Sequence, residues 1–279
     1  MKKIICLLCV ATVIFSCKKA GPSLNVPPTD SLYYLSSIRS TSPQTLVIDS
    51  LIYDSSQRIA SLLIYAFDTS GAYTGADSIR IDFNLSPSGP PASYVFTDYV
   101  AGPANDLHQL TYDDQNRVIE DTSLSGTGYI NHFSYPANEI TSSVFFTGTS
   151  NFENSILDTL SVSGGNIVHE NDYAPNNDLT ADSLEVSVNY GYSAYPNPAY
   201  NPKVASTIGP LLFGILFYYN SSYSDAISKK TLNNVSGLSA GLPPGGFNYA
   251  VVSDAKGRVS ELKPDVPGIV GEIRFSYYP

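Results

Sequence analysis

Tyr112-Asp113-Asp114-Gln115-Asn116-Arg117-Val118 decides the fold, because it has the pattern of a strand end, a tight turn and a strand start. Residues 53–59 and 253–259 repeat the pattern, in which an acid opens the turn and Arg and a β-branched residue close it. The acid can accept a hydrogen bond from the backbone two residues further on, which supports the turn. The residue before Arg has to adopt a left-handed conformation, which Gly takes freely and Gln least readily. The residues at that position are Gln57, Asn116 and Gly257.

Alternating side chains predict strands on both sides of these turns. In Ser78–Leu85, apolar residues occupy one face and polar residues the other, a period of two that is typical of a half-buried strand. Short connections favour antiparallel neighbours, so the sequence predicts an all-β antiparallel meander of about 12–14 strands. The predicted strands are 45–53, 58–67, 78–85, 93–99, 107–112, 117–124, 129–135, 139–147, 157–163, 167–173, 183–192 and 269–278, with a last hairpin around 253–259.

The strand pattern is interrupted after residue 194 by a segment rich in Pro and Asn. Asn201-Pro202 can begin a helix, because Asn caps helices and Pro fits the first helical turn. The apolar run Leu211–Tyr219 is too short to span a membrane, so we expect it to be buried. The sequence therefore predicts one short helical segment around 201–219 that closes one end of the sheet, with a fully buried strand as the alternative. Residues 221–246 are expected to form a loop.

The first 16 residues have the composition of a secretion signal. A basic start precedes the twelve apolar residues Ile4–Phe15, fewer than the roughly 20 that a transmembrane helix needs. Ile14-Phe15-Ser16-Cys17 resembles the lipobox of bacterial lipoproteins, which implies cleavage before Cys17 and attachment of acyl chains such as palmitate to that residue. An ordinary signal peptide with a chance Cys is the alternative. Two or three long acyl chains would anchor the protein stably.

We therefore expect three parts: a lipoprotein signal peptide at 1–16, the lipidated Cys and a tether at 17–40, and a single β domain at 41–279. Cys6 and Cys9 fall in the signal peptide, so the β domain has no disulfide. Lys18-Lys19 follow Cys17 where surface-exported relatives carry acidic residues, which favours an outer-membrane lipoprotein that faces the periplasm over one at the cell surface.

The charge of the chain argues against nucleic acid as a partner. The formal net charge is −10, and removal of Lys2 and Lys3 with the signal peptide makes it −12. Nucleic-acid binding needs clustered Lys and Arg to displace counterions. The chain also has 21 Tyr and no Trp, and tyrosines suit half-buried faces that meet water.

No motif predicts catalysis, a cofactor or a metal. Gly237–Gly241 fits the pattern of a serine nucleophile elbow, but Pro243-Pro244 prevents the helix that this elbow needs, and no His follows Ser239. The three histidines lie on predicted strands without ligand-like spacing, and the oxygen-rich segment 171–182 lacks the acidic spacing of a calcium loop. Glu120 and Asp121 are expected to point to opposite faces of one strand. The histidines are His108, His132 and His169, and the oxygen-rich residues are Asn171, Asp172, Asn176, Asn177, Asp178 and Asp182.

The chain resembles a Bacteroidetes-type lipoprotein family, known as a domain of unknown function with a porin-like fold. The resemblance covers roughly residues 40–279 and implies an antiparallel, barrel-like sheet and no activity. The YD repeats of large secreted shell proteins share the hairpin motif but are closely and regularly spaced. The residues that carry the resemblance are Ser16-Cys17-Lys18-Lys19, the YD-like hairpins, Phe133-Ser134-Tyr135, Glu139-Ile140-Thr141, Asn201-Pro202 and Asp254–Val259.

Two classes of function fit these observations. The first is a non-enzymatic binding or scaffold module, anchored to the membrane by its lipid, whose tyrosine-rich faces and 221–246 loop meet a glycan or protein partner. The second is a periplasmic carrier that holds a lipid or other hydrophobic ligand in an apolar barrel interior.

Overall fold

A computed structural model of the chain describes residues 35–41, 45–68, 76–99, 104–125, 128–146, 157–175, 182–212, 227–238, 243–266 and 271–278. They form one closed barrel of 16 antiparallel strands, in which each strand pairs with its neighbours in the sequence and β16 pairs with β1. The strands are β1 (Leu35–Thr41), β2 (Thr45–Tyr53), β3 (Ile59–Asp68), β4 (Ala76–Asn84), β5 (Ser93–Asp98), β6 (Ala104–Tyr112), β7 (Val118–Ser123), β8 (Tyr129–Ser134), β9 (Glu139–Phe146), β10 (Leu157–Ser163), β11 (Asn166–Pro175), β12 (Asp182–Pro196), β13 (Lys230–Leu238), β14 (Phe247–Ser253), β15 (Val259–Pro264) and β16 (Glu272–Tyr277).

The two ends of the barrel differ. Because the strands alternate in direction, the connections that follow even-numbered strands all lie at one end, which we call the turn end. The turns at 53–59, 112–118 and 253–259 lie there, and we call them the Tyr-Asp turns, although the third begins with Ser253-Asp254. The long connection between β12 and β13 lies at the same end. The strand β1 begins at the turn end and β16 finishes there. The other end carries the connections that follow odd-numbered strands, and we call it the loop end.

The barrel wall follows the alternation of the sequence. On β4, Ile79, Ile81 and Phe83 are buried in the interior, while Arg80 and Asp82 lie on the outer face. Charged side chains lie on the outer face of several strands in the described part of the wall. They include Arg39 on β1, Arg80 on β4, Glu120 on β7, Glu185 on β12, Lys263 on β15 and Arg274 on β16.

A helical segment fills the turn end. Helix α1 spans Pro202–Ala205, and the chain is helical again over 209–212. Val204, Ile208 and Leu211 are buried in the same core cluster as the interior residues of the strands. The Val118 N–H donates to the Thr207 carbonyl at 2.9 Å, which ties the segment to the second Tyr-Asp turn. The predicted helical closure is confirmed for this part, and 213–219 lie outside the described residues.

The antiparallel barrel is confirmed, but the predicted number of strands was too low, since there are 16. Strand β1 was not predicted, and it begins at Leu35, ahead of the expected start of the domain at 41. Strand β13 lies within 221–246, which was predicted to be a loop. Both strands have few apolar residues. Bulges also interrupt the pairing of β1 with β16 and of β13 with β12, which makes the alternation of side chains irregular. Among the described residues, no helix has the length and apolar character needed to cross a membrane.

Candidate functional site

The three Tyr-Asp turns have the geometry that the sequence predicted. Gln57, Asn116 and Gly257 adopt positive φ angles of 68°, 60° and 76°. In each turn, Oδ1 of the Asp accepts hydrogen bonds from the backbone N–H groups two and four residues further on, at 2.8–3.0 Å. The Asp residues are Asp54, Asp113 and Asp254.

An ion pair that was not predicted completes each turn. The guanidinium of the closing Arg donates to Oδ2 of the opening Asp at 2.6–2.8 Å. Desolvation opposes ionisation of these carboxyls, but the hydrogen bonds from the Arg backbone and side chain outweigh it and lower the pKa of each Asp. The Arg side chain is therefore held flat against the turn. The pairs are Asp54 with Arg58, Asp113 with Arg117 and Asp254 with Arg258.

A tyrosine covers the Arg in two of the three turns. The guanidinium carbon of Arg117 lies 4.2 Å from the ring centre of Tyr135, and that of Arg258 lies 4.3 Å from the ring centre of Tyr277. Each hydroxyl donates to the main-chain oxygen of the residue after the Arg, at 2.6 Å to Val118 and 2.5 Å to Val259. These two turns are therefore closed by a stacked ring that is also hydrogen-bonded.

The first turn differs, and a cleft lies beside it. No ring of the described residues lies over Arg58. The cleft has a volume of about 400 Å³, and Arg58, Leu85 and Ile208 contribute to its lining. Pro90 from the β4–β5 connection and Gln115 from the second turn form other parts of its wall. The cleft thus lies where two hairpin turns, a connection and the helical segment meet.

The interior of the barrel contains a polar cluster on β5, β6 and β7. The Tyr94 hydroxyl donates to Oδ2 of Asp121 at 2.7 Å, and Nδ1 of His108 lies 2.8 Å from Oδ1 of the same carboxylate. The rings of Tyr94 and His108 stack with their centres 4.3 Å apart. Nε2 of His108 lies 3.3 Å from Oδ2 of Asp106. Since Asp121 is 0% exposed and His108 2%, these groups are closed off from solvent and stabilise the wall from inside.

A second interior cluster contains three acids on β10 and β11. The Tyr190 hydroxyl donates to Oε2 of Glu170, and Ser142 donates to Asp158. Desolvation, together with the charges of Glu170 and Asp158, raises the pKa of Asp172 to about 8. Burial also raises the pKa of Asp158. The expected apolar interior is thus wrong for this side of the barrel, because alternation on β10 and β11 places acids inward.

The residues considered as sites from the sequence do not converge. His108 points inward, whereas His132 lies on the outer wall, 3.5 Å from Glu120, and His169 contacts Asn171 and Asn189 there. Glu120 and Asp121 face opposite sides of β7, as predicted. Within the described ranges, no three His, Cys, Asp or Glu side chains are grouped to hold a metal ion. Cys17, Ser239 and residues 176–181 lie outside the described residues.

The cleft was not predicted, although one repeated sequence pattern points to its position. Phe133-Ser134-Tyr135 and Phe275-Ser276-Tyr277 share a pattern, and Phe83-Asn84-Leu85 is its third copy with Leu in place of Tyr. Each copy lies at the end of the second strand after a Tyr-Asp turn, so that one strand separates the turn from the copy. The copy at 83–85 differs at two positions, with Asn84 in place of Ser and Leu85 in place of Tyr, and only the change at 85 removes a ring.

Comparisons with known proteins give structural neighbours only. No protein-family model matches the chain, and a search of curated proteins found no match. Among solved structures, a porin-like protein from Bacteroides uniformis ATCC 8492 is similar, with 13% sequence identity and a TM-score of 0.44 over 89% of this chain and 99% of that one. A porin-like protein from Bacteroides vulgatus ATCC 8482 is similar with 13% identity and a TM-score of 0.45, over 88% of this chain and 99% of that one.

Proposed function

We propose that this chain is an outer-membrane lipoprotein whose barrel is a non-enzymatic binding module, and that the cleft at the turn end is its binding site. The observation that carries the proposal is the arrangement at the turn end. The helical segment packs into the barrel there, and in the part of the chain that the structure describes a cleft lies between that segment and the turns at 53–59 and 112–118. Its lining combines a paired Arg, amides and apolar side chains, which suits recognition.

The start of the barrel supports the lipid anchor. Strand β1 begins at Leu35, so 17 residues separate it from Cys17. Because β1 begins at the turn end, the anchor would join the barrel at the end that carries the cleft. The cleft would then lie within reach of partners close to the membrane.

Binding at the cleft is favoured over transport of cargo inside the barrel. A carrier needs free volume in an apolar interior, whereas Val204, Ile208, Leu211 and Leu212 occupy the interior at the turn end. Buried acids such as Glu170 and Asp121 are also poor neighbours for a lipid. Native mass spectrometry of the purified protein separates the two functions. A co-purifying apolar ligand would support the carrier, and its repeated absence would count against it.

The anchor is tested by fractionation of cells that express Cys17→Ala. We expect this variant to move from the membrane fraction to the soluble periplasmic fraction, because it lacks the acylated thiol. Cys9→Ala is the matched control, since it removes a thiol from the signal peptide without touching the lipobox, and it should stay with the membrane. Membrane association of Cys17→Ala would contradict the lipoprotein assignment.

A further inference from the structure

The register of the sheet shows that Leu85, Tyr135 and Tyr277 occupy equivalent positions. Glu120 pairs with His132 between β7 and β8, and the same register places Tyr135 opposite Arg117. Glu261 pairs with Arg274 between β15 and β16, which places Tyr277 opposite Arg258. The pairing of β3 with β4 places Leu85 opposite Arg58 in the same way. The equivalent cross-strand pairs are therefore Arg58 with Leu85, Arg117 with Tyr135 and Arg258 with Tyr277.

Tyr135 and Tyr277 show which kind of side chain packs on the Arg of a Tyr-Asp turn. Each ring lies flat over an Arg at 4.2–4.3 Å, and each hydroxyl reaches a main-chain oxygen. A guanidinium attracts the face of an aromatic ring, and the attraction is stronger where water is excluded. Leu85 is shorter than Tyr and carries no ring, and its side chain contributes to the lining of the cleft. Among the residues that the structure describes, the first turn thus lacks the ring that its two equivalents contain.

The guanidinium nitrogens of Arg58 already donate hydrogen bonds within the chain. Its Nε and one terminal nitrogen donate to Asp54 at 2.8 and 2.6 Å. The other terminal nitrogen donates to the carbonyls of Ser86 and Gly89, at 2.6 and 3.2 Å. An anionic ligand therefore has no free pair of N–H groups to bind in the plane of the guanidinium. Arg58 lines the cleft, and the face of its guanidinium is the part that these in-plane hydrogen bonds leave for a ligand ring.

We propose that the cleft binds a tyrosine side chain of a partner polypeptide, with the ring over Arg58 as Tyr135 and Tyr277 lie over their Arg residues. The tyrosine hydroxyl would donate to the main-chain oxygen of Ile59, which corresponds to Val118 and Val259. The exposed amides of Gln115 and Asn116 lie at the edge of the cleft and can bond to the main chain of the bound segment. This assignment rests on the proposed binding function and names the ligand of that site.

The test measures peptide binding to the purified mature protein by NMR titration. The probes are acetyl-Gly-Tyr-Gly-amide and acetyl-Gly-Leu-Gly-amide, which differ only in the central side chain. We expect the Tyr peptide to bind at the cleft and the Leu peptide to bind about three- to fivefold more weakly, because it lacks the interaction with Arg58. Equal binding of the two peptides would overturn the proposal without requiring any variant to fold.

Leu85→Tyr supplies the missing ring from the chain itself. It should fill the cleft and lower the affinity for the Tyr peptide at least tenfold, while the thermal midpoint stays the same or rises. Tyr277→Leu is the control, because it creates the Arg–Leu pair at the third turn, where Arg258 and Tyr277 do not line the cleft, and it should leave the affinity of the cleft within twofold. Undiminished binding to folded Leu85→Tyr would overturn the proposal.

Tyr33 and Tyr34 precede β1 and carry the same group, so they are a second source of the ring. The double variant Tyr33→Ala/Tyr34→Ala separates the two sources. Binding of the Tyr peptide to the unchanged chain assigns the cleft to a partner. Binding that occurs only in the double variant assigns the cleft to the chain itself and overturns the partner. None of these titrations depends on lipidation, so a failure here and a failure of the Cys17→Ala fractionation are distinguishable.

Discussion

The ring of Tyr135 lies over the guanidinium of Arg117 at 4.2 Å, and the Tyr135 hydroxyl donates to the Val118 carbonyl at 2.6 Å. Arg117 in turn holds Asp113, which accepts the turn hydrogen bonds. One strand therefore supplies the ring that covers a turn made by the two strands before it. This arrangement connects three successive strands at the turn end of the barrel.

We expect Tyr135→Phe to lower the free energy of unfolding by about 1 kcal/mol, because it removes one partly buried hydrogen bond and keeps the ring. Tyr135→Leu removes the ring as well, and its cost should rise to about 2 kcal/mol. Chemical denaturation of both variants measures these changes. Equal costs for the two variants would show that the stacked ring contributes nothing.

The residue at the left-handed position sets the strain of each turn. Gln57 has a φ of 68°, which costs a non-glycine residue about 1 kcal/mol. Gln57→Gly should therefore raise the thermal midpoint. Gly257→Val should lower it by more, because a β-branched residue fits a φ of 76° poorly. Differential scanning calorimetry measures both, and an unchanged midpoint in Gly257→Val would contradict the role given to this position.

The sequence predicted the strands whose alternation is clean, and it missed strands whose pattern is interrupted. Ile79, Ile81 and Phe83 alternate with polar residues, so β4 could be predicted within two residues at each end. In β13, Leu232 and Val235 face the interior three residues apart, which breaks the period of two. A bulge of this kind depends on the neighbouring strand, and local patterns do not contain that information.

The candidate site was only partly predictable, for a similar reason. The turns could be predicted because Asp, the left-handed residue and Arg are close in the sequence. The cleft depends on Arg58, Leu85 and Ile208, which come together only when distant segments pack. The sequence nevertheless shows that the first turn differs from the other two, since Leu85 stands at the position that Tyr135 and Tyr277 occupy in the equivalent strands.

We expect Asp172 to make stability fall between about pH 4 and pH 8. Its pKa is raised from 3.8 to about 8, with desolvation as the main cause and the Glu170 and Asp158 charges next. Below pH 4 the carboxyl is protonated in both states, and as the pH rises it ionises in the unfolded chain first, which favours unfolding. Asp172→Asn should therefore be more stable than the unchanged protein at pH 8, with a smaller difference at pH 4.

Asp82→Asn is the matched control for this pH dependence. Desolvation of Asp82 is outweighed by hydrogen bonds from Arg80 and Ser61, so its pKa is lowered. Its contribution to stability is present above its ordinary pKa and is lost as the pH falls through the lowered value. Asp82→Asn should thus be less stable than the unchanged protein at pH 8, the opposite sign to Asp172→Asn. Unfolding curves that show the same sign for both variants would contradict the assignment.

The buried carboxylate of Asp121 should contribute more to the stability of the barrel than the half-buried carboxylate of Glu120. Asp121→Leu leaves the Tyr94 hydroxyl and Nδ1 of His108 without their shared acceptor in a closed interior, which should lower the free energy of unfolding by about 3 kcal/mol. Asp121→Asn keeps one acceptor oxygen and should cost less. Glu120→Gln, one position away on the outer wall, should stay within about 0.5 kcal/mol. Denaturant titration at pH 7 compares the three, and similar losses for Asp121→Leu and Glu120→Gln would show that the interior cluster does not stabilise the barrel.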